Sequence, residues 1–178
     1  MELTKAKQHT AHEALSQFGH KNKLAVPRLV KIVVSSGTGS GMKKDRNKND
    51  TVAERLARIT GQKPSLRVAK QSVASFKIRE GDPIGLTVTL RGARMMHFLD
   101  KLVHIAFPRT KDFRGLDKKA VDNIGNMTIG IKEHTIFPET ADEDLRDVFG
   151  LSITLVSTAK TKAEATAFFE HLGIPFKK

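Results

Sequence analysis

The chain lacks cysteine, tryptophan and tyrosine, and it is short of acids. Without cysteine there is no disulfide framework, no thiolate nucleophile, no cysteine zinc site and no iron–sulfur cluster. Without tryptophan or tyrosine, all ten aromatic residues are phenylalanine, and neither signature of the common RNA-recognition motif is present. Base stacking on a sheet is therefore not the expected mode of any RNA binding. There is no apolar run of the length that spans a bilayer, and no membrane partner is expected. The opening Met1-Glu2-Leu3-Thr4-Lys5 has no apolar segment behind its charges, so no secretory leader is expected.

What is present is cationic charge. The 178 residues carry 31 Lys and Arg against 19 Asp and Glu, a net charge of +12. A balance of this sign and size points to a polyanion partner, most often nucleic acid. The length suits one domain, 1–178, which we expect to comprise an N-terminal helix (1–25) and a core (26–178). The excess is uneven. Residues 1–114 hold 23 basic and 9 acidic side chains, whereas residues 115–178 hold 8 and 10. Between Lys63 and Arg79 five basic residues (Lys63, Arg67, Lys70, Lys77, Arg79) occur with no acid, while Glu139 to Asp147 contains five acids and one arginine. The first two thirds are thus expected to meet the polyanion. The acidic segment is left to solvent or a protein neighbour.

Periodicity gives the elements. Residues 2–18 show helical spacing and stop at Gly19. Arg28 to Ser35 is β-branched and reads as a strand, followed by a Gly/Ser loop, Ser35 to Gly41. Val52, Leu56 and Ile59 predict a helix that stops at Gly61. Ser65 to Ala69 is a short strand, Lys70 to Asp82 a polar basic loop closed by Pro83, and Leu86 to Arg91 the clearest strand by alternation. Met95 to Ala106 is an amphipathic helix ended by Pro108. Met127 to Ile131 and Leu151 to Val156 are further strands. A last helix, Thr161 to Leu172, opens on a capping box between Thr161 and Glu164. The expected class is α+β: a mostly antiparallel sheet, helices packed on one face, and a long basic loop between the second and third strands.

The chemistry of an enzyme is hard to find. Gly37-Thr38-Gly39-Ser40-Gly41-Met42 has neither the spacing of a phosphate-binding loop nor that of a dinucleotide loop. A small nucleotide-binding enzyme built on Gly37–Gly41 is the disfavoured alternative, although the loop's amides could meet a nucleic-acid phosphate. The seven histidines are scattered. His9 and His12 share a helix face with no third ligand nearby, so no metal and no cofactor are expected. Phe76 stands inside the basic loop, either as an apolar anchor or as a ring that stacks on a sugar or base.

Nine ordered motifs carry a resemblance. Val26-Pro27-Arg28-Leu29, Ile59-Thr60-Gly61-Gln62-Lys63-Pro64, Phe76-Lys77-Ile78-Arg79-Glu80-Gly81, Pro83-Ile84-Gly85, Val88-Thr89-Leu90-Arg91-Gly92, Pro108-Arg109, Asp112-Phe113-Arg114-Gly115, Ile136-Phe137-Pro138-Glu139 and Gly173-Ile174-Pro175-Phe176-Lys177-Lys178 stand in this order. From Val26 onward the chain resembles the bacterial form of the fifth protein of the large ribosomal subunit.

The resemblance implies a structural, cytoplasmic ribosomal component that binds 5S rRNA in the central protuberance and lies beside 23S rRNA and neighbouring ribosomal proteins. It implies that the loop from Lys70 to Pro83 reaches the peptidyl-site tRNA, and that a small-subunit protein is met across the subunit interface. The family's sheet-borne 5S contacts carry over as Gln62 and Thr89. At the end of the first strand the family's Asn is Ser35 here, which keeps one hydroxyl in place of a paired amide. Lys63, Arg67 and Arg91 complete the expected 5S set. Lys70, Ser72, Ser75, Phe76, Lys77 and Arg79 make the expected tRNA-contact loop. Where the family often has Phe-Asp-Gly-Arg-Gly-Asn, this chain has Val121-Asp122-Asn123-Ile124-Gly125-Asn126, one cation fewer.

Overall fold

A computed structural model describes Ala11, Phe18 and residues 22–39, 48–140 and 148–177. The expected first helix apart from Ala11 and Phe18, residues 40–47 and residues 141–147 of the acidic segment lie outside the described residues.

Five strands form one antiparallel sheet in the order β2-β3-β1-β5-β4. They are β1 (Leu29–Gly37), β2 (Ser65–Val68), β3 (Pro83–Leu90), β4 (Met127–Ile131) and β5 (Leu151–Ser157). Among the described residues three α-helices accompany them: α1 (Lys48–Thr60), α2 (Gly92–Lys101, continuing to Arg109) and α3 (Lys162–Leu172). This is the expected α+β class.

Strands β1, β4 and β5 are one-sided, as alternation requires. In β1, Ile32, Val34 and Ser36 are buried, while Lys31, Val33 and Ser35 between them are half-buried. In β5 Leu151, Ile153, Leu155 and Ser157 are buried, again alternating with half-open Ser152, Thr154 and Val156. The face opposite the core is thus written mostly in Ser, Thr, Lys and Gly.

By contact the chain divides into two compact units. The first comprises Met1–Val33, Leu90–Ile129 and Ile153–Lys178. Its core contains Leu99, Leu102, Ile153 and the tilted ring pair Phe168–Phe169, all essentially inaccessible to solvent. Helix α3 is capped as expected: Thr161 Oγ1 accepts from the Glu164 N–H at 3.3 Å. The return bond lands one residue further out, since the Glu164 carboxylate accepts from the Lys160 N–H at 3.0 Å. Helix α2 differs from expectation at its end. It runs past Pro108 to Arg109, through a π-turn at Leu102–Ala106 in which the Phe107 N–H bonds the Leu102 carbonyl. The wider turn shifts the hydrogen-bond register just ahead of a residue that has no N–H to give. Thr110 ends the helix, its hydroxyl donating to the Ala106 carbonyl at 3.1 Å.

The second unit comprises Val34–Thr89 and Gly130–Ser152. Val52, Leu56 and Ile59 of α1 are buried with Leu86, Val88 and Phe137. A polar cluster sits inside this core. His134, fully buried, stacks on Phe149 at 4.1 Å between ring centroids. Its Nδ1 accepts from the Phe149 N–H at 3.3 Å, and Arg55 Nη1 lies 3.5 Å from its Nε2. Of the histidines that looked scattered along the sequence, this one is a core residue with polar partners.

Candidate nucleic-acid interface

The candidate site is built at the end of α1. Gly61 takes a left-handed φ of +68° and its N–H closes on the Ala57 carbonyl at 2.8 Å. A residue with a Cβ would be strained there, so a glycine stop is required. The Thr60 hydroxyl donates to the carbonyls of Leu56 (2.7 Å) and Gln62 (3.1 Å) and pins the turn. The turn delivers Gln62 to β3, where its Nε2 donates to the Thr89 carbonyl at 3.4 Å. Lys63 follows, exposed.

Strand β2 then pairs antiparallel with β3, Ser65 opposite Thr87, Leu66 opposite Leu86 and Arg67 opposite Gly85. Opposite residues point to the same face. Ser65 and Arg67 are therefore on the side of Thr87 and Thr89, away from buried Leu86 and Val88. Ser35 is half-buried on the matching face of β1. Thr87 is 8% exposed and its hydroxyl reaches the Val34 carbonyl at 3.4 Å, which ties β3 to β1. Gly85 makes the close approach possible: a Cβ there would stand 2.8 Å from the Ser36 carbonyl oxygen.

Ser35, Gln62, Lys63, Arg67 and Thr89 thus belong to one unit. Arg91 belongs to the other, exposed at the start of α2, which it caps without a side-chain hydrogen bond. Ser65 and Thr87 are face-mates that the motifs did not single out; the alternation through Thr89 was the signal that could have found them.

The segment between β2 and β3 is an arm with internal order. Val73 and Ile78 bridge it by reciprocal backbone bonds of 2.9 and 3.3 Å. Ala74–Phe76 make a single 3-10 turn, closed by Lys77 in the left-handed region at φ +53°. At the base, Ala69 donates to the Asp82 carbonyl and Gly81 to the Ala69 carbonyl. The Asp82 carboxylate accepts from the Arg79 N–H at 2.7 Å, and the Ser72 hydroxyl accepts from the Glu80 N–H at 2.9 Å. Lys70, Ser72, Ser75, Phe76, Lys77 and Arg79 are all exposed. Phe76 is 65% exposed, which removes the reading of it as an apolar anchor.

The glycine loop is placed differently from the phosphate cradle that the sequence left open. The N–H groups of Thr38 and Gly39 both bond the Ile84 carbonyl, at 3.0 and 3.1 Å. Those two donors are spent on holding β1 to β3. Among the described residues no cluster of His, Asp and Glu could hold a metal, and no helix is long and apolar enough to cross a membrane.

A polar sheet face with a cationic arm beside it is the build of a structural protein that meets nucleic acid. Comparison with known proteins supplies the family. The ribosomal protein L5 model matches residues 22–79, and the model of that ribosomal family's C-terminus matches residues 83–176. The chain is 48% identical over 166 residues to the large ribosomal subunit protein uL5 of Thermotoga sp. (strain RQ2), covering 92% of this chain and 89% of that one. It is 45% identical over 175 residues to uL5 of Mesoplasma florum, covering 98% and 97%. With uL5 of Lactococcus lactis subsp. cremoris (strain MG1363) it shares 48% over 162 residues, covering 91% and 89%. The chain is therefore a ribosomal protein of the large subunit, a constituent of the cytoplasmic ribosome and not an enzyme. It belongs to the ribosomal protein L5 family.

Proposed function

We propose that this protein binds 5S rRNA through the open sheet face of its second unit and touches peptidyl-site tRNA through the 70–83 arm. The observation that carries the reading is the bond from the Gln62 amide to the Thr89 carbonyl, which brings these two residues together. Lys63 and Arg67, joined by Arg91, neutralise phosphates and release counterions. Ser35, Gln62 and Thr89 supply neutral contacts that fix the register of the RNA. The arm presents Lys77 and Arg79 as cations, and Phe76 as an exposed ring that stacks on a sugar or base. Its internal bonds lower the ordering cost when RNA arrives. 23S rRNA, neighbouring ribosomal proteins and a small-subunit protein complete the partners, the last in keeping with the acid-rich sequence from Glu139 to Asp147.

The test is which RNA copurifies with the tagged full chain at moderate salt. We expect 5S rRNA to dominate. A mixture that follows RNA abundance would overturn the reading.

A further inference from the structure

Helix α2 carries a surface that neither the sheet nor the arm explains. Its first turn holds no acid, Arg91 caps it without a side-chain bond, and Arg94 stands within the first turn. Cations at that end oppose the helix dipole. The pattern continues along the helix. Arg94, His97 and His104 are exposed and Lys101 is half-buried between them. Spacings of three and four residues set Arg94, His97 and Lys101 in one line, and His104 follows within the π-turn, for a length of about 15 Å at roughly 1.5 Å per residue. The one acid of the helix, Asp100, is turned inward and only 8% exposed. Beyond the helix Arg109 and Lys111 are exposed as well.

The other helices carry exposed acids beside their cations, which α2 does not. On α1 exposed Arg58 pairs with Glu54, and on α3 Glu170 pairs with Lys118 at 3.1 Å. Mixed signs are what a solvated helix face ordinarily carries. Nor does the α2 face have a protein-docking character. No large exposed hydrophobic residue lies between Gly92 and Arg109, whereas protein interfaces are centred on apolar or aromatic anchors.

We propose that the Arg94–His97–Lys101–His104 line of α2 binds a ribosomal RNA phosphate backbone, as a second RNA contact made by the first unit. The proposal rests on the ribosomal reading above, but none of the four residues of the line belongs to the sites of that reading. A line of about 15 Å spans the rise of roughly four to five nucleotides of one strand, at about 3.4 Å each. Arginine and lysine supply charge. Each imidazole supplies an N–H donor to a phosphate oxygen whatever its protonation state. Contacts of this kind position the protein without reading sequence.

The absence of cysteine makes the test direct. His97→Cys creates a single attachment point for a photo-activated crosslinker, and Ala163→Cys on α3 is the control. In large subunits assembled with the full labelled chain, residue 97 should crosslink to ribosomal RNA well above the control. Crosslinks to protein alone, or none above the control, would overturn the proposal. A second arm follows rebinding to subunits stripped of this protein. Arg94→Gln should lower the log–log salt slope by about 1, and an unchanged slope counts against the α2 contact. Binding of naked 5S rRNA by the unaltered chain keeps the two readings apart. Its loss removes the sheet-face reading only, and the crosslink at residue 97 decides the α2 contact alone.

Discussion

The side-chain amide of Gln62 donates to the main-chain carbonyl of Thr89, 3.4 Å away. A glutamine amide has two N–H donors and an acceptor oxygen, and this bond uses one donor. It orients the amide against the sheet while leaving a donor and an acceptor for a partner. Gln62→Ala should weaken 5S rRNA binding by about 1–3 kcal/mol, because RNA groups are left without their partner. Filter binding reads this directly. A loss within error of zero would take Gln62 out of the site.

The proposed function assigns the arm and the sheet face to different RNAs. Replacing Lys77 and Arg79 together by Ala should weaken contact with peptidyl-site tRNA in assembled ribosomes while 5S rRNA affinity stays nearly intact. Equal loss of both would assign the arm to the 5S site.

Phe76 is 65% exposed, so Phe76→Ala should shift the denaturation midpoint of the protein very little, within about 0.5 kcal/mol. The same change should reduce tRNA crosslinking from the arm, since stacking on an aromatic ring contributes about 1–3 kcal/mol per base. A large fall in stability would restore Phe76 to the role of an anchor.

Gly85 faces the Ser36 carbonyl across the β3–β1 pair, with 2.8 Å available to a Cβ. Gly85→Ala must push backbone against backbone and should destabilise the fold by about 1–3 kcal/mol. Urea denaturation measures it. An unchanged midpoint would mean that the two strands can part without cost.

Local signals in the sequence were strong where one residue type decides the backbone. Gly61 stops α1, Thr161 caps α3, and the alternation of Leu86, Val88 and Leu90 sets the covered face of β3. The motif pair Gln62 and Thr89 was legible as a candidate site from family resemblance and alternation, and the Gln62 amide does bond the Thr89 carbonyl. What was not legible depends on long-range bonds. The amides of Thr38 and Gly39 looked available until the Ile84 carbonyl was found to occupy both. His134 looked like one more scattered histidine, because its partners Arg55 and Phe149 lie 79 and 15 residues away. Pro108 reads as a helix stop, and only the π-turn before it lets α2 continue. The order within the arm, too, comes from Ser72 and Asp82 holding backbone N–H groups, which composition does not reveal.

The most direct check is the affinity of the full chain for 5S rRNA as a function of salt, with an unrelated duplex of similar length as competitor. With about 6–10 phosphates neutralised, affinity should fall by roughly 10³–10⁵ between about 50 and 200 mM salt. The preference for 5S rRNA should persist, because Ser35, Gln62 and Thr89 are neutral. A flat salt response, or equal binding of the unrelated duplex at every salt, would contradict a charged face whose register is set by neutral side chains.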